Sequence, residues 1–171
     1  EEYKHSFALS NDGTQVAIGF HKENADGSSI INGGLVKVYK YTNGVWALTN
    51  TIKSPLHESN EAFGRNVEFI GSNLLISSLY GDKTVTRKFS DGTYFDNNFT
   101  SFSETQYDVG NLYLFEFQES TQKYEMIFHD SLGIPNLYLH FSTNDLDGNG
   151  KKEFWVGGDY YYDWQGITRF F

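Results

Sequence analysis

The chain has 171 residues, 39% of them hydrophobic and 18% aromatic, with 17 glycines, two prolines and no cysteine. Thirteen Lys and Arg against 22 Asp and Glu leave a net charge of −9, which repels nucleic acid and anionic lipid surfaces and argues against both as partners. No run approaches the roughly 20 apolar residues of a membrane helix, so no direct membrane insertion is expected. Without disulfides, core packing, a metal or neighbouring domains must supply the stability.

Aromatic, glycine-rich and proline-poor composition favours many short strands joined by glycine turns. Residues 7–19 alternate apolar and polar positions about an Asn11-Asp12-Gly13 turn, the pattern of a hairpin. Gly34 then opens a strictly alternating strand over 34–39, and the Thr42-Asn43-Gly44 turn leads into a fourth strand over 45–49. The unit recurs as 67–70, a Gly71-Ser72-Asn73 turn, 74–77, a long insertion over 81–109, then 110–115 and 124–128. A third copy runs as 138–141, a longer turn, 154–157 and 166–171, and stops before its fourth strand.

Four antiparallel strands repeated along a chain are the plan of a β-propeller blade. The sequence therefore predicts an all-β fold with two complete blades and most of a third. These are residues 1–53, a metal-free hairpin blade; 54–130, a blade with the 81–109 insertion between its second and third strands; and 131–171, an incomplete blade. Closed propellers have about 4 to 8 blades, so the expectation is part of a larger propeller, completed by the same polypeptide or by neighbouring chains. A meandering β-sandwich is the alternative.

The third hairpin turn reads Asp145-Leu146-Asp147-Gly148-Asn149-Gly150-Lys151-Lys152-Glu153. Oxygen side chains at alternate positions, with glycines that let the backbone curl, can converge on one hard cation. The candidate ligands are the side chains of Asp145, Asp147, Asn149 and Glu153 and the Lys151 carbonyl, and oxygen donors favour one Ca²⁺ over Mg²⁺. The bland reading is an Asp/Asn/Gly-rich turn without an ion. An EF-hand fits less well, since it needs flanking helices and an acidic residue at loop position 12, where Val156 stands.

The Asp145-to-Glu153 loop followed by Phe154-Trp155-Val156-Gly157-Gly158 resembles the calcium loop and following strand of FG-GAP repeats in integrin α-subunit propellers. Phe63-Gly64 followed by Val67 looks like the opening of such a repeat, and Asn11-Asp12-Gly13-Thr14 with Val16-Ala17-Ile18-Gly19 is similar to its metal-free variant. The first two hairpin turns lack the ligand set, so one ion is expected. The first and third copies also lack the Phe-Gly pair. The resemblance implies an extracellular or cell-surface protein whose ion is structural and lies on the face opposite the main binding surface.

That surface would be formed by the loops joining strands 2 to 3 and 4 to 1. They carry Tyr94, Phe95, Phe99, Tyr160, Tyr161, Tyr162 and Trp164 among charged neighbours, a composition suited to a protein or glycan ligand. The same rings could instead bury one another. Asn98-Phe99-Thr100 is a candidate glycosylation acceptor. His5, His21, His57, His129 and His140 show no metal spacing, no Gly-x-Ser-x-Gly elbow is present, and Glu58 and Glu61 read as charges on a solvated loop. The function expected is a calcium-stabilised adhesion, scaffold or assembly module, not an enzyme. The alternative is the propeller portion of a secreted carbohydrate-active hydrolase or lyase.

Overall fold

The computed structural model describes residues 5–25, 27, 29–81, 83–90, 99–106, 109–135, 137–145, 148, 153–160 and 167–170. Among these residues all regular structure is β-strand and there is no helix. The first sheet is a meander of β1 (Ser6–Leu9), β2 (Gln15–Phe20), β3 (Leu35–Thr42) and β4 (Val45–Lys53), each antiparallel to the next. There follow β5 (Asn66–Ile70), β6 (Asn73–Ser78), β7 (Lys83–Ser90), β8 (Phe99–Gln106), β9 (Val109–Gln118) and β10 (Lys123–Pro135). The second four-stranded sheet has the order β10-β9-β6-β5, and β7 with β8 form a separate two-stranded ribbon. Three further strands, β11 (Leu137–Asn144), β12 (Glu153–Tyr160) and β13 (Ile167–Phe170), make a three-stranded antiparallel sheet.

The all-β expectation is met, and two of the sheets are four-stranded and antiparallel. The 81–109 insertion is more regular than a loop, pairing from Lys83 with Gln106 to Ser90 with Phe99. Its β-branched and aromatic run supplies the reason, since such side chains suit a pleated surface. β10 also runs past the expected 124–128, with irregularities after Met126 and after Ser131, and ends at Pro135 on an edge strand, where proline is tolerated.

Local chemistry sets the hairpins. Asp12 accepts hydrogen bonds from the Ser10 hydroxyl at 2.6 Å, the Thr14 backbone N–H at 3.0 Å and the Thr14 hydroxyl at 2.8 Å, which close the β1–β2 turn. These donors hold its carboxyl down at about 2. Asn43 and Gly44 both have positive φ, 53° and 85°, the I′ geometry that matches strand twist in a two-residue hairpin.

Alternation gives each sheet two faces. Ala8, Ala17, Val36, Val38 and Ile52 of the first sheet join Val67, Phe69, Leu74, Ile76, Tyr113, Phe115 and Tyr124 of the second in one buried cluster. Small residues on one sheet thus receive large ones from the other, and each large apolar side chain buried contributes roughly 1.5–3 kcal/mol. The two sheets meet mainly through β1, β2 and β5. They open toward β4 and β10, where a cleft of about 410 Å³ is lined by Thr49, Thr51, Lys53, Phe115 and Tyr124.

Phe63 and Gly64 form the joint between the sheets. The Phe63 ring is fully buried, with its centroid 5.3 Å from that of Tyr113 and 6.1 Å from that of Phe115, both edge-on. Gly64, at φ 83°, lies against the first sheet: its carbonyl accepts the Ser6 hydroxyl at 2.8 Å, and its N–H donates to Ser77 of the second sheet at 3.0 Å. A Cβ on Gly19 would fall 2.0 Å from the Gly64 carbonyl oxygen, so this crossing requires glycine on both sides.

Candidate docking face and buried polar joint

The two four-stranded sheets share one register. In the second sheet, Phe69 pairs with Leu74, Leu74 with Phe115, and Phe115 with Met126. In the first sheet the corresponding row is Leu9 with Val16, Val16 with Tyr39, and Tyr39 with Leu48. The next row repeats likewise: Val67, Ile76, Tyr113 and His129 correspond to Phe7, Ile18, Lys37 and Thr51.

Of these, Val67, Phe69, Leu74, Ile76, Tyr113 and Phe115 lie in the buried cluster under the small-residue face of the first sheet, while Met126 on the edge strand is 43% exposed. Among the described residues nothing comparable covers the same positions in the first sheet. Phe7 is 76% exposed, Leu9 56% and Leu48 51%, and Tyr41 and Trp46 lie as exposed neighbours with tilted rings, centroids 5.2 Å apart. Lys37 crosses the face with its amine 4.4 Å from the Phe20 ring centroid and 3.2 Å from Glu23, so its charge is answered at the face margin. An apolar face carried by four strands marks a contact surface.

Beneath the joint lies a buried polar cluster. Glu61 is 1% exposed, and its Oε1 accepts the Tyr113 hydroxyl at 2.8 Å. Its Oε2 is buried without a hydrogen bond. Burial pushes the carboxyl up to about 7; hydrogen bonding from Ser54 and Tyr113 pulls against this, and the charge of Glu58 adds to it. The Tyr113 hydroxyl is held well above its usual value by the same burial and by Glu61. The Tyr113 ring stacks on His129 at 4.6 Å, and His129 Nε2 donates to Asn111 Oδ1 at 2.9 Å. The expectation of a solvated Glu61 is therefore corrected. Glu61 lies two residues before the Phe63 anchor, its carbonyl accepts the N–H groups of Leu79 and Tyr80, and the chain turns it inward. That proximity to Phe63-Gly64 is the signal in the sequence that could have revealed it. A carboxyl so buried can hold a proton near neutral pH.

Of the expected metal ligands, Asp147, Asn149 and Lys151 lie outside the described residues, as does the side chain of Glu153. Asn144 pairs with Glu153 at the mouth of the β11–β12 hairpin, and Gly148 has φ 75°. Asp145 follows directly, its N–H held by Asn144 Oδ1 at 3.0 Å. Among the described residues no three His, Cys, Asp or Glu side chains cluster as a metal set.

Tyr94, Phe95, Asn98, Tyr161, Tyr162 and Trp164 also lie outside the described residues. Phe99 falls in β8 and Tyr160 in β12, where only the backbone is described. No protein-family model matches the chain, and no curated protein matches it.

Proposed function

We propose that the chain is a calcium-stabilised scaffold or assembly module that works outside the cell or at its surface, built of β-propeller blades of the FG-GAP kind. The observation that carries this reading is the face repeat. The face of the first sheet that carries Phe7, Leu9, Val16, Ile18, Tyr39 and Leu48 matches in register the face by which the second sheet is docked, with Lys37 and Thr51 at the positions of Tyr113 and His129, so it fits a further four-stranded sheet presenting a small-residue face like that of Ala8, Ala17, Val36 and Val38. That sheet belongs to the same polypeptide or to a neighbouring chain. Head-to-tail contacts of this type close into a ring when the rotation permits and otherwise extend as a filament. The opening of the two sheets from β1 and β5 toward β4 and β10 supports the ring, because blades around an axis diverge outward.

In this reading Asp145, Asp147, Asn149, Glu153 and the Lys151 carbonyl hold one Ca²⁺, which adds a cross-link to a chain that has no disulfide. Tyr94, Phe95, Phe99, Tyr160, Tyr161, Tyr162 and Trp164 contact a protein or glycan ligand, and Asn98 carries a glycan. The second reading, a hydrolase or lyase portion, draws on the raised carboxyl of Glu61 beside Tyr113 and His129. The absence of solvent access to Glu61 favours the scaffold.

Native mass spectrometry with and without EDTA tests the metal arm. One calcium per chain and a melting temperature that falls in EDTA are expected, with Asp145→Ala/Asp147→Ala abolishing both effects. A chain that takes up no calcium and melts identically in EDTA overturns it.

A further inference from the structure

A second surface, separate from the docking face, lies where the β2–β3 loop meets the β4–β5 loop. An open cleft of about 340 Å³ there is lined by His21, Lys22 and Asn32 from one loop, by Asn60, Ala62 and Arg65 from the other, and by Leu79 and Tyr80 behind them. That volume is near the lower end for ligand pockets, so it suits a small molecule or one sugar unit.

The lining is cationic in a protein of net charge −9. Arg65 Nη1 lies 3.1 Å from His21 Nε2. Because a guanidinium only donates, Nε2 must accept, which places the imidazole proton on Nδ1. His21 is 4% exposed, and burial first, then the charges of Arg65 and Lys22, drive its ionisation down to about 4. The ring is thus neutral at physiological pH. It orients the guanidinium without cancelling its charge. Among the described residues no carboxylate pairs with Arg65, and two acids of the adjoining loops are engaged elsewhere, Glu23 with Lys37 at 3.2 Å and Glu61 with Tyr113 at 2.8 Å.

The backbone around the cleft is also unusual. Asn32, Asn60 and Ala62 all have positive φ, 51°, 64° and 56°. The loops hold these conformations through Asn60 N–H to the Ile31 carbonyl at 2.7 Å, Ala62 N–H to the Asn32 carbonyl at 3.1 Å, and Asn32 Nδ2 to Asn60 Oδ1 at 3.1 Å. Left-handed alanine has no side-chain bond to offset its cost, and such residues cluster where a ligand is gripped.

We infer that this cleft binds a carboxylate carried on a small hydroxylated molecule, an acidic sugar of uronic-acid size. Arg65 presents its planar fork to the carboxylate, Lys22 adds charge, the Asn32 and Asn60 amides meet hydroxyls, and Leu79 and Ala62 face the carbons. None of the residues lining this cleft belongs to the docking face.

Titration of the ¹⁵N-labelled chain with sodium glucuronate, with glucose as the neutral counterpart and inorganic phosphate as the competing anion, tests it. Saturable shifts confined to the amides of residues 21–22, 32, 60–65 and 79–80 are expected for glucuronate, with glucose and phosphate each at least tenfold weaker. Arg65→Gln should weaken glucuronate at least tenfold. If that variant fails to fold, the exposed Lys22→Gln should still weaken it severalfold. No saturable glucuronate response, equal binding of glucose or phosphate, or variants that titrate like the parent would each overturn the assignment.

Discussion

Replacing Glu61 by Gln keeps an oxygen acceptor for the Tyr113 hydroxyl at nearly the same volume and removes only the ionisation. In the parent, burial raises the carboxyl from 4.5 to about 7. Between those values the unfolded chain has released the proton and the folded chain retains it. The folded state then binds more protons, and raising the pH destabilises it. The stabilisation is complete below 4.5, is lost through the interval up to about 7, and is flat beyond. An interval of that width, at about 1.36 kcal/mol per pH unit, corresponds to ~3 kcal/mol. Urea denaturation of variant and parent at pH 4 and pH 8, followed by tryptophan fluorescence, isolates this contribution, since other groups titrate alike in both proteins. The stability of Glu61→Gln relative to the parent should rise by ~3 kcal/mol from the lower to the higher pH, a midpoint change on the order of 1 M urea at unchanged slope. A relative stability constant across that range would refute the buried, proton-retaining Glu61.

Gly19→Ala places a methyl 2.0 Å from the Gly64 carbonyl oxygen and 2.4 Å from Ser6 Oγ. The first of these is backbone and cannot step aside, so unfolding free energy should fall by at least ~3 kcal/mol in the same urea assay. Asp12→Asn should lower the melting temperature at neutral pH, because Ser10 and Thr14 stabilise the charged carboxylate. This stabilisation is present above 3.8 and lost as the carboxyl protonates near 2, so calorimetry should find the two proteins converging as the pH falls through that range.

How much of this was legible depended on whether the physics is local. Period-two alternation and the Asn43-Gly44 and Asp12 turns identify the strands of both four-stranded sheets, because side-chain direction in a strand follows from position alone. The tail of β10 beyond 128 was not legible, because its irregular pairing with β9 erases the alternation. Nor was Glu61: a carboxylate in a loop reads as solvated, and only the Phe63 anchor, bedded between Tyr113 and Phe115 from 50 residues downstream, carries it inside. The row of Leu9, Val16, Tyr39 and Leu48, exposed at its two ends, has the pattern of a core face in sequence. Alternation identifies a face but cannot say whether another sheet covers it. The cleft was least legible, since left-handed Asn60 and Ala62 are imposed by the facing loop through the carbonyls of Ile31 and Asn32.

Sedimentation velocity across a concentration series addresses the docking face most directly. The parent chain should associate through the large-residue face of its first sheet, and Leu9→Lys/Leu48→Lys, placed on exposed positions, should sediment as a folded monomer with unchanged thermal stability. A parent that stays monomeric at every concentration, or a double variant that associates equally well, would contradict the proposal that a sheet of a neighbouring chain docks on this face.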